Sequence, residues 1–253
     1  MPNLPNPLHI KYATLNNHRI AYEFRAGESP TIIWLGGYKS DMSSTKAEAL
    51  VQWGQKNNRA VLRFDYSGHG LSSEKFEDGT ISSWLEDALG MIEAYGGTAP
   101  VLVGSSMGGW IAMLAALKLK KENPPSALVL IAPATDFTEE LMWKAFSPEI
   151  RTQIKTTGVW LRYSQYSPDP TPVTKAFIED GRKHLLFGKG FELGCKIHIL
   201  QGQKDPDVPW QHTMKLVSYL PHDEVTITMI NDGDHRLSRE EDIAKLVDIV
   251  ASI

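Results

Sequence analysis

The chain has 253 residues, of which 42% are hydrophobic and 22% charged, and its formal net charge is −4. That length suits one large domain with a sizeable core, and the mild negative charge gives no electrostatic basis for binding nucleic acid or an anionic membrane surface. The single cysteine, Cys195, excludes an intramolecular disulfide and removes any need for an oxidising compartment.

The N-terminal stretch MPNLPNPLHIKY has no basic n-region, apolar h-region or Arg-rich amphipathic pattern. No run approaches the ~18 apolar residues of a membrane span. A cytoplasmic protein without a membrane span is therefore expected.

In chain order, RIAYEF (Arg19 to Phe24) reads as an early strand. TIIWLG (Thr31 to Gly36), AVLRFD (Ala60 to Asp65), PVLVGS (Pro100 to Ser105), ALVLIAP (Ala127 to Pro133), KIHILQG (Lys196 to Gly202) and EVTITMI (Glu224 to Ile230) follow. Several are almost continuous in apolar, β-branched residues, as suits parallel strands covered on both faces. Between them lie helix starts. Thr45 with Glu48, Ser83 with Glu86 and Ser238 with Glu241 each have the spacing of a capping box ahead of an apolar helical face. The alternation predicts an α/β fold, with a mostly parallel central sheet and helices on both faces.

From Asp136 to about Gly194 no strand is evident. DFTEELMWKAF and KAFIEDGRKHLLF are expected to be helical, with QYSPDPTPV as a Pro-rich loop between them. The expectation is one domain over residues 1–253, with a small helical cap inserted at 136–194.

The segment VLVGSSMGGWIAML runs from strand to sharp turn to helix, and Gly104-x-Ser106-x-Gly108 matches the nucleophile elbow. The glycines are needed because the nucleophile sits on strained backbone where side chains at the flanking positions would collide with the strand and helix. Ser106 falls on the glycine spacing and Ser105 does not. A serine hydroxyl needs a base to remove its proton and a carboxylate to orient that base. In this arrangement the acid comes next in the chain and the histidine last, each on a loop after a strand. Asp205, in QGQKDPDVPW, is the expected acid, with Asp207 as its rival. His235, in NDGDHRLS, is the expected base; of the eight histidines it alone follows the acid on a loop leaving a β-run. Asp232, Asp234 and His235 could instead be metal ligands, but no second His/Cys cluster supports a metal site and none is expected.

The tetrahedral oxyanion needs two backbone N–H donors. Met107, after the nucleophile, is one. The other comes from the loop GGYKSDM, with Tyr38 preferred to Gly37. His69, in DYSGHG, precedes the nucleophile and is expected to order a loop. Cys195 is expected to pack rather than react. The cap residues Phe137, Leu141, Met142, Trp143 and Phe146 recur at roughly helical spacing. They form either the wall of an acyl-chain pocket or a face that simply buries the cap against the core.

Together GGY, DYSGHG, GSSMGG, GQKDPDVP and GDH resemble the α/β-hydrolase superfamily over nearly the whole chain. GYKSDMSSTKAEAL, RFDYSGHGLS, FEDGTISSW, LIAPATDFTEELMW and EDGRKHLLF are similar to the branch containing the mitochondrial palmitoyl-protein thioesterase and acyl-glucuronide esterase with its bacterial relatives. That resemblance implies hydrolysis of S-acyl or O-acyl groups without a cofactor, on a small-molecule or acylated substrate, with Ser106, Asp205 and His235 at the triad positions. Many superfamily members carry His-Gly in the oxyanion loop where this chain has Gly36-Gly37, a change that removes a loop-ordering side chain but no backbone donor. The same triad serves C–C hydrolases and cofactor-free perhydrolases, and a hydrolase fold can also be a non-catalytic binding protein. The oligomeric state is not readable from the sequence.

Overall fold

An eight-stranded sheet runs through the computed structural model, which describes residues 9–164 and 167–253, the side chains of 164–169 excepted. The first eight residues, and with them most of the N-terminal stretch read above, lie outside the described residues, as do Gln165 and Tyr166. The strands are β1 (Lys11–Leu15), β2 (His18–Arg25), β3 (Glu28–Leu35), β4 (Arg59–Phe64), β5 (Val101–Ser105), β6 (Ala127–Ile131), β7 (Val159–Ser164), β8 (Ser167–Thr174), β9 (Lys196–Gly202) and β10 (Val225–Ile230). The main sheet has the order β1-β2-β4-β3-β5-β6-β9-β10. Its first two pairings are antiparallel and the rest parallel.

The helices are α1 (Thr45–Lys56), α2 (Ile81–Tyr95), α3 (Met107–Leu119), α4 (Pro148–Thr157), α5 (Lys175–Gly181), α6 (Trp210–Ser218) and α7 (Glu240–Ala251). The pleat divides β3 between two cores. Ile33 and Leu35 pack on the side of α2 and α3, whereas Ile32 and Trp34 face α1 and α7. Residues 107–116 of α3 are all buried, so the helix that begins at the serine turn is apolar all round and fixed on every side.

Each expected helix start is displaced by one to three residues. Ser44 is the N-cap of α1, and Thr45 is its first residue. Thr80 caps α2, accepting the Ser83 N–H at 3.2 Å while its own N–H donates to Ser83 Oγ at 2.9 Å. Arg239 precedes α7 and donates its N–H to Asp242 Oδ2 at 3.2 Å. Short polar side chains serve equally at the N-cap and at the third position. The choice falls to packing: buried Ile81 must already be helical to reach the core of α2.

The insertion between β6 and β9 is not wholly helical. Its π-helical turn (Thr138–Trp143), α4 and α5 accompany an antiparallel hairpin, β7–β8, in which Trp160 pairs with Val173 and Leu161 with Pro172. QYSPDPTPV, expected as a loop, supplies most of the second strand. Pro168, Pro170 and Pro172 stand at every second position. Alternate residues of an edge strand turn their N–H outward, so prolines at that spacing remove no ladder hydrogen bond.

Candidate active site

The site is assembled at the C-terminal edge of the parallel strands, where loops carry side chains from distant parts of the chain. Ser106 lies between β5 and α3 with φ 54° and ψ −117°. This left-handed conformation strains a residue with a Cβ, and tight neighbours enforce it. A Cβ on Gly104 would overlap the carbonyl oxygen of Gly108, and one on Gly108 would overlap the carbonyl oxygen of Leu35. Two backbone bonds then hold the turn: Ser106 N–H donates to Ile131 O at 2.8 Å, and Ser106 O accepts from Ala134 N–H at 3.1 Å.

His235 reaches the serine from the loop after β10. Its Nε2 lies 3.1 Å from Ser106 Oγ and its Nδ1 lies 2.8 Å from Asp205 Oδ2. Asp205 is buried. Its other oxygen, Oδ1, accepts the N–H groups of Asp207 at 2.9 Å and Val208 at 2.8 Å. The backbone thus fixes the carboxylate, and the carboxylate fixes the imidazole with its proton on Nδ1. Nε2 is left as the acceptor facing the serine hydroxyl. Asp207 contributes its N–H to this arrangement. Its carboxylate does come within 4.8 Å of the ligand atoms of Asp205 and His235, but both ring nitrogens of His235 already have partners, Asp205 Oδ2 and Ser106 Oγ. The other conceivable metal ligands are spoken for too: Asp232 pairs with Arg239 at 2.6 Å, and Asp234 accepts the Arg236 and Leu237 N–H groups.

Met107 is the first residue of α3, a position whose N–H has no acceptor inside the helix. The N–H of Tyr38 likewise meets no acceptor among the described residues. Met107 follows the serine directly, Tyr38 lines the same cavity as the serine, and Gly37 lies against it: a Cβ there would sit 3.5 Å from Ser106 Cβ. The Tyr38 ring is embedded among Phe76 (4.9 Å between centroids), Phe177 (5.2 Å), Phe137 (5.7 Å) and Trp84 (6.0 Å). Its hydroxyl donates to Pro172 O at 3.3 Å. Burial raises its pKa well above the usual phenol range, so it stays neutral.

The loop-ordering histidine expected in DYSGHG is present. His69 is buried, its Nδ1 lies 3.2 Å from Ser67 O, and its Nε2 accepts the Lys39 N–H at 3.2 Å. Burial lowers its pKa to about 4, which keeps Nε2 an acceptor near neutral pH. A side chain from a different loop therefore steadies the residue next to Tyr38. Cys195 packs at the edge of the core, and burial raises its thiol pKa to about 12, far from a reactive thiolate.

A cavity of about 300 Å³ opens beside Ser106 and His235, with Tyr38, Trp34, Lys46 and Arg236 in its wall. None of the five apolar cap residues lines it. Phe137 and Met142 are buried in the core, Leu141, Trp143 and Phe146 pack against it, and cations cover Trp143, with Arg182 4.8 Å from its ring. Lys46 was not foreseen. It is buried, donates to Arg236 O and to Ser238 Oγ at 3.2 Å, and has its pKa lowered by burial to about 8. The available signal was a lysine in the first turn of a helix, where the dipole disfavours a cation.

The model of the "Alpha/beta hydrolase family" matches residues 44–249. The chain belongs to the alpha/beta hydrolase family. This hydrolase is 32% identical over 247 residues to the human mitochondrial palmitoyl-protein thioesterase ABHD10, an alignment covering 97% of the chain and 76% of the human protein. Its fold superposes with TM-score 0.93 on a protein from Agrobacterium vitis S4, at 43% identity over 98% of this chain and 99% of that one. Mouse ABHD10 superposes with TM-score 0.87 at 28% identity, covering 96% and 97%. The names of the mammalian relatives place them in mitochondria, so they lend nothing to a cytoplasmic location. No described helix is long and apolar enough to cross a membrane.

Proposed function

We propose that this hydrolase cleaves carboxylic esters or thioesters through a covalent acyl-enzyme on Ser106. The observation that carries the reading is the hydrogen-bonded chain Ser106 Oγ–His235 Nε2 and His235 Nδ1–Asp205 Oδ2, at 3.1 and 2.8 Å. Ser106 Oγ attacks the substrate carbonyl carbon while His235 Nε2 takes its proton. The carbonyl oxygen becomes an oxyanion held by the N–H groups of Met107 and Tyr38, with that of Gly37 as the alternative second donor. His235 then returns the proton to the departing alcohol or thiol. A water molecule repeats the cycle and releases the acid, leaving Ser106 free. Asp205 orients the imidazole and stabilises its protonated form throughout.

Ester and thioester share this route. Relatives named as thioesterases support the thioester, and support a fatty acyl chain; the five cap residues add nothing to the latter because none lines the cavity. The test is hydrolysis of p-nitrophenyl esters and matching acyl-thioesters over a range of chain lengths, with an initial burst equal to the enzyme concentration where deacylation is slow. Turnover abolished in Ser106→Ala supports the proposal, and turnover unchanged in that variant contradicts it.

A further inference from the structure

The cavity beside Ser106 has a wall made of donors. Lys39, Lys46 and Arg236 line it together with Ser44 and Trp34, and no carboxylate does, although the whole chain is net negative. Two of these groups are buried and unanswered. Trp34 is 1% exposed, yet its Nε1–H meets no acceptor, and the hydroxyl of Ser44 likewise has no partner. An indole N–H can only donate, so what is missing there is an acceptor.

The same wall contains the start of α1. Ser44 is its N-cap but makes no side-chain capping bond, so its hydroxyl leaves the positive end of the helix beside the cavity unanswered. Lys46 stands in that first turn, 7% exposed. Its ammonium meets two neutral oxygens, Arg236 O and Ser238 Oγ, and forms no ion pair among the described residues; Asp234 and Asp242 act on it only from a distance. A buried cation placed against the positive end of a twelve-residue helix is unfavourable unless an anion joins them.

Resting on the acyl-enzyme reading above, we propose that this cavity is a subsite for a carboxylate or phosphate carried on the alcohol or thiol half of the substrate, held by Lys46, Ser44 and Trp34 Nε1–H. The leaving half is the one concerned because its oxygen or sulfur takes the proton from His235 Nε2, and His235 with Arg236 forms one side of the same cavity.

The test compares butyrate esters of 4-hydroxybenzoate and of methyl 4-hydroxybenzoate. The neutral ester has the intrinsically better leaving group, so a preference for the anionic one must come from the protein. The expected kcat/KM ratio favours the anionic ester by about tenfold or more, chiefly through KM. Lys46→Met and Trp34→Phe, which keeps an aromatic ring but no N–H, should each reduce that ratio. A ratio of one or less in the wild type, or a ratio unmoved by both substitutions, overturns the proposal. The butyrate ester of 4-hydroxyphenyl phosphate, run alongside, tells phosphate from carboxylate by which is preferred. Calorimetric titration of 4-hydroxybenzoate into Ser106→Ala separates the subsite from the chemistry. Binding is expected to weaken about tenfold or more when Lys46→Met is added, and no binding, or binding unmoved by that substitution, overturns the subsite even if Ser106 proves to be the nucleophile.

Discussion

His235 Nε2 lies 3.1 Å from Ser106 Oγ although 129 positions separate the two residues in the chain. They meet because β5 and β10 are parallel strands of one sheet whose C-terminal ends point the same way. The contact is therefore only as good as the loop that carries His235, and Asp205 is what fixes that ring. Asp205→Asn should lower kcat by about 10⁴-fold, because the amide favours the wrong tautomer, and His235→Ala should cost at least as much. Asp207→Asn keeps the backbone N–H that Asp205 accepts, so it should cost less than about tenfold. Steady-state kinetics on one p-nitrophenyl ester checks all three, and a larger loss at Asp207 than at Asp205 would reassign the acid.

His69 makes stability depend on pH in a defined window. Its pKa is lowered by burial from 6.5 to about 4 in the folded protein. Between these values the unfolded chain binds a proton that the folded one does not, so this stabilising contribution is present above pH 6.5 and is lost as pH falls toward 4. The loss amounts to about 3 kcal/mol over the window. In His69→Gln, which has no proton to bind there, the fall in Tm between pH 7 and pH 4 should be shallower than in the wild type. Equal slopes would show that His69 is not the group responsible.

Gly108 is where the elbow meets β3. A Cβ there would overlap the carbonyl oxygens of Leu35 and Gly36, at the root of the loop that carries Tyr38. Gly108→Ala should destabilise the fold by about 1–3 kcal/mol through overpacking and should lower kcat as well, since any relief moves the oxyanion donors. Denaturant unfolding measured beside kcat checks both; loss of stability with full activity would separate the glycine from the site.

Tyr38 joins a backbone N–H, proposed above as an oxyanion donor, to a ring that packs against Phe137 and Phe177. Tyr38→Phe removes only the hydroxyl that reaches Pro172 O, so it should cost about 1 kcal/mol of stability with kcat within about threefold of wild type. Tyr38→Ala leaves a hole among four aromatic rings and should cost about 3–5 kcal/mol. A large kcat loss in Tyr38→Phe with an unchanged Tm would mean that the hydroxyl, rather than the N–H, contacts the substrate.

Of the seven expected strands, those with near-continuous apolar sequence, such as β5 and β6, were legible because burial on both faces leaves no other composition open to them. Ser106, Asp205 and His235 were legible because their order along the chain is itself a topological constraint. β1 was missed: only two of its five residues, Ala13 and Leu15, are even partly buried, so it carries little hydrophobic signal. The hairpin was missed because proline ordinarily argues against a strand, and only its two edges make the alternate prolines of β8 harmless. The cap residues gave a correct face and an undecided purpose, since helical spacing says that Phe137 and Met142 are buried without saying against what. Lys46 and Trp34 were invisible as a pair. Their importance lies in missing partners, and a missing partner is a property of three dimensions.

A Ser106 activated by His235 should react as a nucleophile. A fluorophosphonate probe, which forms a covalent bond only with an activated serine, tests it directly when the labelled peptide is identified by mass spectrometry. Stoichiometric labelling of Ser106 is expected, abolished in Ser106→Ala and strongly slowed in His235→Ala. A folded wild-type protein that takes up no probe, or labelling that persists in Ser106→Ala, would contradict it.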